Sequence, residues 1–115
     1  MAHDSHNIVA VGVDDESICR AVNLIIRAKG GVSCVFDLEE MIVELPVGGL
    51  MSDKDGFEVA RSYTAIDKMA KRAGSTLAAP FMTLSFMALL VIPRLKLSDK
   101  GLFDGDRFEL LSFYI

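Results

Sequence analysis

Asn7 to Val13 (Asn-Ile-Val-Ala-Val-Gly-Val) is an apolar, β-branched run closed by Asp14-Asp15, and it predicts a buried first strand followed directly by a helix start. Asp14 or Asp15 can accept the orphan amides of that helix, and Glu16 suits the positive end of its dipole. Ile18, Val22, Ile25 and Ala28 then recur at helical spacing, with Ala21 alongside, until Gly30-Gly31 ends the pattern. Val32–Phe36 and Met41–Leu45 are short β-prone runs separated by Asp37-Leu38-Glu39-Glu40, the spacing of an antiparallel hairpin. No Gly or Asn is present there for a tight primed turn.

Pro46 to Met51 reads as a flexible, partly apolar loop, and Ser52-Asp53-Lys54-Asp55 gives a capping-box-like start to a second helix. Val59, Tyr63, Ile66, Ala70 and Ala73 mark its inner face, Asp67 and Lys71 form an i,i+4 pair, and Gly74 stops it. From Leu77 onward the period is ambiguous: Phe81 to Leu90 suits a strand, a short helix or both in sequence. Pro93 imposes an extended backbone on Ile92. Asp99-Lys100-Gly101 and Asp104-Gly105-Asp106 are turn signals, and Phe108 to Tyr114 suits a final strand. The order β-α-β-β-α-β-β predicts an α/β fold, with α+β as the alternative: one domain over residues 1–115, with two helices packed on a mixed sheet.

Composition sharpens this picture in two places. The 115 residues suffice for one domain with its own core. A hydrophobic fraction of 51% and a mean hydropathy of +0.37 mean either a dense core or apolar surface that awaits a partner. The net charge of −4, with Lys and Arg scattered among acids, argues against nucleic-acid binding by phosphate neutralisation. The start lacks the basic and apolar stretches of a signal peptide, and Leu77 to Ile92, broken by Pro80, falls short of the ~20 residues of a spanning helix. The chain therefore reads as cytoplasmic and without a membrane partner. Cys19 and Cys34 sit within apolar patterns and read as reduced, buried and inert.

Four blocks carry a family resemblance: His3-Asp4-Ser5-His6-Asn7-Ile8-Val9 with Val11-Gly12; Gly49-Leu50-Met51-Ser52; Pro80 to Phe86; and Val91-Ile92-Pro93 through Leu95 to Leu102. In order and spacing they resemble the C-terminal domain of adenine deaminase, a metal-dependent amidohydrolase of purine salvage. The resemblance implies a full-length enzyme that removes the 6-amino group of adenine by water, giving hypoxanthine and ammonia, with a divalent metal (Mn, Fe or Zn) in its barrel. Three positions depart from the family pattern: Leu90 where a proline is usual, Arg94 where an acid is common, and Leu38 where a hairpin glycine is common.

Chemistry can be tested by counting. Hydrolytic deamination needs a metal-activated hydroxide and a residue that moves protons to the leaving amine. The family's centre takes several histidines and at least two carboxylates, and this sequence has two histidines. The resemblance is to the domain that follows the barrel, so the isolated chain is expected to be inactive, with no catalytic residue and no cofactor of its own.

His3, Asp4, Ser5 and His6 have two readings. They reach toward the substrate pocket of a barrel, with His3 and His6 as metal ligands or donors, or they form a solvated tail. Asp14-Asp15-Glu16 suits a hard cation but reads better as a helix cap. Gly48-Gly49 lacks the Lys-Ser/Thr of a phosphate loop and reads as a bend that lets Leu50-Met51 pack. Phe81, Met82, Leu84, Phe86 and Met87 read as core; any part facing outward would be an interface to a barrel or a second subunit.

The expected role is an accessory domain, supplied as a fragment or encoded by a truncated gene. It braces the barrel in the same or another chain, covers one side of the active site and supports a homo-oligomer. The alternative is a free-standing, non-catalytic module that binds a purine or a partner protein.

Overall fold

The computed structural model describes residues 2, 7–92 and 94–112. Its elements are α1 (Asp15–Ala28), β1 (Gly31–Phe36), β2 (Glu39–Glu44), α2 (Gly56–Arg72), α3 (Pro80–Phe86), β3 (Leu95–Ser98), β4 (Gly101–Asp104) and β5 (Glu109–Leu111). The fold class is α+β, with two small antiparallel sheets, β1-β2 and β3-β4-β5, in place of one mixed sheet.

Helix α1 starts where the acidic run predicts. Asp14 is the N-cap, accepting from the Ser17 amide, and Asp15 and Glu16 occupy the first turn. Lys29 closes the helix in the left-handed region at φ 59°, its amide bonded to Ile25 and Ile26 carbonyls. The α2 cap is Asp55, whose carboxylate accepts from the Phe57 and Glu58 amides, rather than Ser52, whose hydroxyl accepts from the Lys54 amide.

The hairpin pairs Gly31 with Glu44 through to Phe36 with Glu39, leaving Asp37-Leu38 as a two-residue loop. Asp37 takes the positive φ, 54°, that such a loop needs. Its two faces meet different helices. Ser33 donates its hydroxyl to the Ala21 carbonyl of α1 at 2.8 Å, and Arg20 of α1 reaches Glu40, opposite Val35. On the other face Arg72 of α2 pairs with Glu39, opposite Phe36, at 2.6 Å. Because side chains alternate along a strand, α1 and α2 cover opposite faces of the hairpin. The buried core follows from this: Ile25 from α1, Val43 from β2, and Ile66 and Met69 from α2.

Two sequence expectations are corrected and one open reading is decided. Residues 7–13 pair with no strand among the described residues; Val11 and Val13 are 79% and 100% exposed, so β propensity without a neighbouring edge does not make a strand. Of the strand and helix readings open for Phe81 to Leu90, segment 80–86 takes the helix, with Pro80 in its first turn, where a missing amide costs nothing. The last strand is the short Glu109–Leu111, and the rest of the expected strand, 113–115, lies outside the described residues.

The second sheet is held apart from the hairpin. Gly105 donates its amide to the Arg94 carbonyl at 2.7 Å, and Arg94 pairs with Asp106 at 2.6 Å. The arginine at the family's acidic position thus closes a local ion pair across the sheet's end.

Candidate functional site

His3, Asp4, Ser5 and His6 lie outside the described residues. Among the described residues, no three His, Cys, Asp or Glu side chains gather into a group that could hold a metal ion. The described residues thus offer no ligand set for the divalent metal that the family resemblance implies. Asp14, Asp15 and Glu16 are a helix start: the Ser17 amide and hydroxyl bond Asp14 at 2.8 and 3.0 Å. These bonds, the amide foremost, hold the Asp14 carboxyl below its ordinary value.

The cysteines differ from each other. Cys34 is half-buried, and its burial pushes the thiol's pKa up against a smaller opposing pull from Arg72. Cys19 is exposed, contrary to the sequence reading: it lies on α1 outside the stripe that meets the hairpin.

Two shallow surface depressions are present. One, of about 380 Å³, is lined by Arg20, Asn23, Ile26, Arg27 and Glu40; the other, of about 410 Å³, follows the outer face of α2 past Phe57, Arg61, Thr64 and Lys68. Neither brings together an acid, a base and a nucleophile. No helix among the described residues is long and apolar enough to cross a membrane.

What the structure does present is apolar surface. Helix α3 buries none of its residues: Met82 and Phe86 are exposed, as is Met87 at its C-cap, whereas Phe81 and Leu84 are half-buried. The core reading of this cluster is thereby corrected. Phe81 packs edge-to-face on Tyr63 of α2, with ring centroids 6.2 Å apart. The Tyr63 hydroxyl is buried and has no hydrogen-bond partner among the described residues, and burial, then Asp67, raises its pKa. Sequence alone could not have flagged this residue, because a tyrosine on a helix's inner face is ordinary.

Comparison with known proteins bears directly on what this apolar surface belongs to. The profile of the adenine deaminase C-terminal domain matches residues 1–109. The chain belongs to this family. It is 60% identical over 112 residues to the adenine deaminase of Sulfurovum sp. (strain NBC37-1), covering 96% of this chain and 21% of that protein. It is 52% identical over 116 residues to the adenine deaminase of Salinibacter ruber, covering 100% of this chain and 21% of that protein. The adenine deaminase of Methanothermobacter thermautotrophicus is 51% identical over 110 residues, covering 96% of this chain and 20% of that protein. The chain thus spans about a fifth of the length of the curated relatives it matches. No solved structure matches it. In the relatives this adenine deaminase C-terminal domain is joined to the remainder of a longer enzyme.

Proposed function

We propose that this chain is the accessory C-terminal domain of an adenine deaminase, which braces the metal-dependent catalytic barrel and covers one side of its active site. The full enzyme would convert adenine and water to hypoxanthine and ammonia. The observation that carries this reading is the match of nearly the whole chain to one fifth of proteins called adenine deaminase. Two features support it. The sequence holds two histidines, too few for a binuclear centre, and Met82 of α3 and Met87 at its C-cap are exposed.

In this reading the catalytic part supplies the metal, and Phe81, Met82, Leu84, Phe86 and Met87 lie against it. His3, Asp4, Ser5 and His6 stand at the junction with the barrel and contribute polar groups at the margin of the active site. A purine-binding module would need an enclosed apolar slot with a few convergent polar groups. The two open depressions favour the accessory reading over that one.

The test is an assay of ammonia release from adenine with Mn²⁺ present. The chain alone should give no turnover above buffer. Added to the Sulfurovum deaminase lacking its matching domain, it should slow thermal inactivation and raise activity. Turnover by the chain alone, or no effect on the truncated enzyme, would overturn the proposal.

A further inference from the structure

Strand β3 reverses the usual arrangement of an exposed strand. Its alternate residues Leu95 and Leu97 are 53% and 67% exposed, while Lys96 and Ser98, between and after them, are half-buried. The polar pair is satisfied where it points: the Lys96 ammonium donates to the Met87 carbonyl at 2.9 Å and the Ser98 hydroxyl to the Gly101 carbonyl at 2.9 Å. The inversion is therefore fixed by hydrogen bonds and is not a slipped register.

The register extends it across the sheet. Leu97 pairs with Leu102 and Leu102 with Leu111, so Leu95, Leu97, Leu102 and Leu111 share one face, with Asp104 and Glu109 in the row of Leu95. The opposite face carries the buried Phe103, with Phe108 edge-to-face on it at 5.4 Å. The sheet has thus turned Phe103 and Lys96 inward and left Leu95 and Leu97 open, with Leu102 and Leu111 half-buried beside them and Phe108 and Leu110 exposed at the other edge.

The molecule as a whole is also open. Summed over the chain, with residues 7–13 and α3 contributing, it exposes 7953 Å², against about 6,200 Å² for a compact monomer of its mass, an excess of roughly 1,800 Å². Its radius of gyration is 15.6 Å, where about 13.4 Å is usual for its length. An interface between domains of one chain buries roughly 600–1,500 Å². Four fifths of each relative's length lies beyond the part that this chain matches, enough to supply the covering body.

We infer that the leucine face of the second sheet is the surface on which the catalytic part of the deaminase polypeptide seats. The inference rests on the accessory reading above and extends it from α3 to β3-β4-β5.

Hydroxyl-radical footprinting of leucine side chains tests this. The chain is labelled alone and as part of a full-length Sulfurovum adenine deaminase whose matching fifth is replaced by this sequence. Leu95 and Leu97 should label at least about tenfold more slowly in the chimera, with Phe57 unchanged. Equal labelling of the two leucines beside protection of α3 would overturn the inference and leave the accessory reading standing. Protection nowhere on the domain would overturn both. Slowed labelling of the leucines in the isolated chain, growing with its concentration, would assign the face to a second copy and overturn the inference. Amide exchange in the unaltered Sulfurovum enzyme is a second readout: the strands matching β3 and β5 should exchange more slowly there than in the isolated chain, and equal rates would contradict the inference.

Discussion

Gly30 and Gly49 are in backbone contact. A β-carbon on Gly30 would fall on the Gly49 α-carbon and within 2.9 Å of the Gly49 and Leu45 carbonyl oxygens. Gly30 also holds φ +139°, a conformation side chains rarely adopt. This contact docks the loop after β2 onto the turn between α1 and β1. Gly30→Ala should therefore destabilise the chain by about 3 kcal/mol or more, read as a lower denaturant midpoint. A midpoint unchanged from wild type would contradict the contact.

Tyr63 invites the opposite change. Its hydroxyl is buried with no partner among the described residues, while its ring packs on Phe81. Tyr63→Phe keeps the ring and removes the orphan, so thermal unfolding should show equal stability or a gain of up to about 1 kcal/mol. A clear loss would mean that the hydroxyl finds a partner in solution.

Asp14 predicts a pH dependence. Its folded pKa lies below the ordinary 3.8 because the Ser17 amide and hydroxyl bond the carboxylate. The unfolded state then takes up the proton first, so this stability is present above pH 3.8 and is lost as pH falls through the lower folded value. Asp14→Asn retains a capping oxygen and should flatten the acid limb of the melting-temperature profile. An identical profile for variant and wild type would rule out this role.

The two thiols should differ in chemistry. Exposed Cys19 should be alkylated by iodoacetamide at least about tenfold faster than Cys34, whose thiol is held protonated by burial. The gap should narrow as pH rises and Cys34 ionises. Equal rates at neutral pH would contradict the packing of β1 between the two helices.

Local signals were legible where they were also sufficient. Asp14, the helical recurrence of Ile18, Val22 and Ile25, and the Asp67–Lys71 pair, found at 2.6 Å, each act within one or two turns and needed nothing from the rest of the fold. The hairpin was readable except for its turn, where Asp37 does what Gly or Asn usually does. The extended run at Ile8 to Val13 failed as a strand because pairing depends on a distant edge that the sequence does not declare. Met69 was missed in the core for a related reason. It lies on the α2 flank that the second face of the hairpin covers, and burial of a helix on two sides widens the apolar stripe beyond the simple spacing. Cys19 and the α3 cluster failed through one assumption, that apolar residues in a pattern are buried; here several stay open. The candidate site was legible mainly as a family resemblance, because a docking surface carries no motif. The inverted exposure of Leu95 and Lys96 emerges only once strand register is known.

In the proposed role this domain docks on the catalytic part of an adenine deaminase. Sedimentation velocity of the chain mixed with the Sulfurovum enzyme lacking its matching domain tests this most directly. A faster complex with one copy of the chain per catalytic part is expected. Two independently sedimenting species at micromolar concentrations would contradict it.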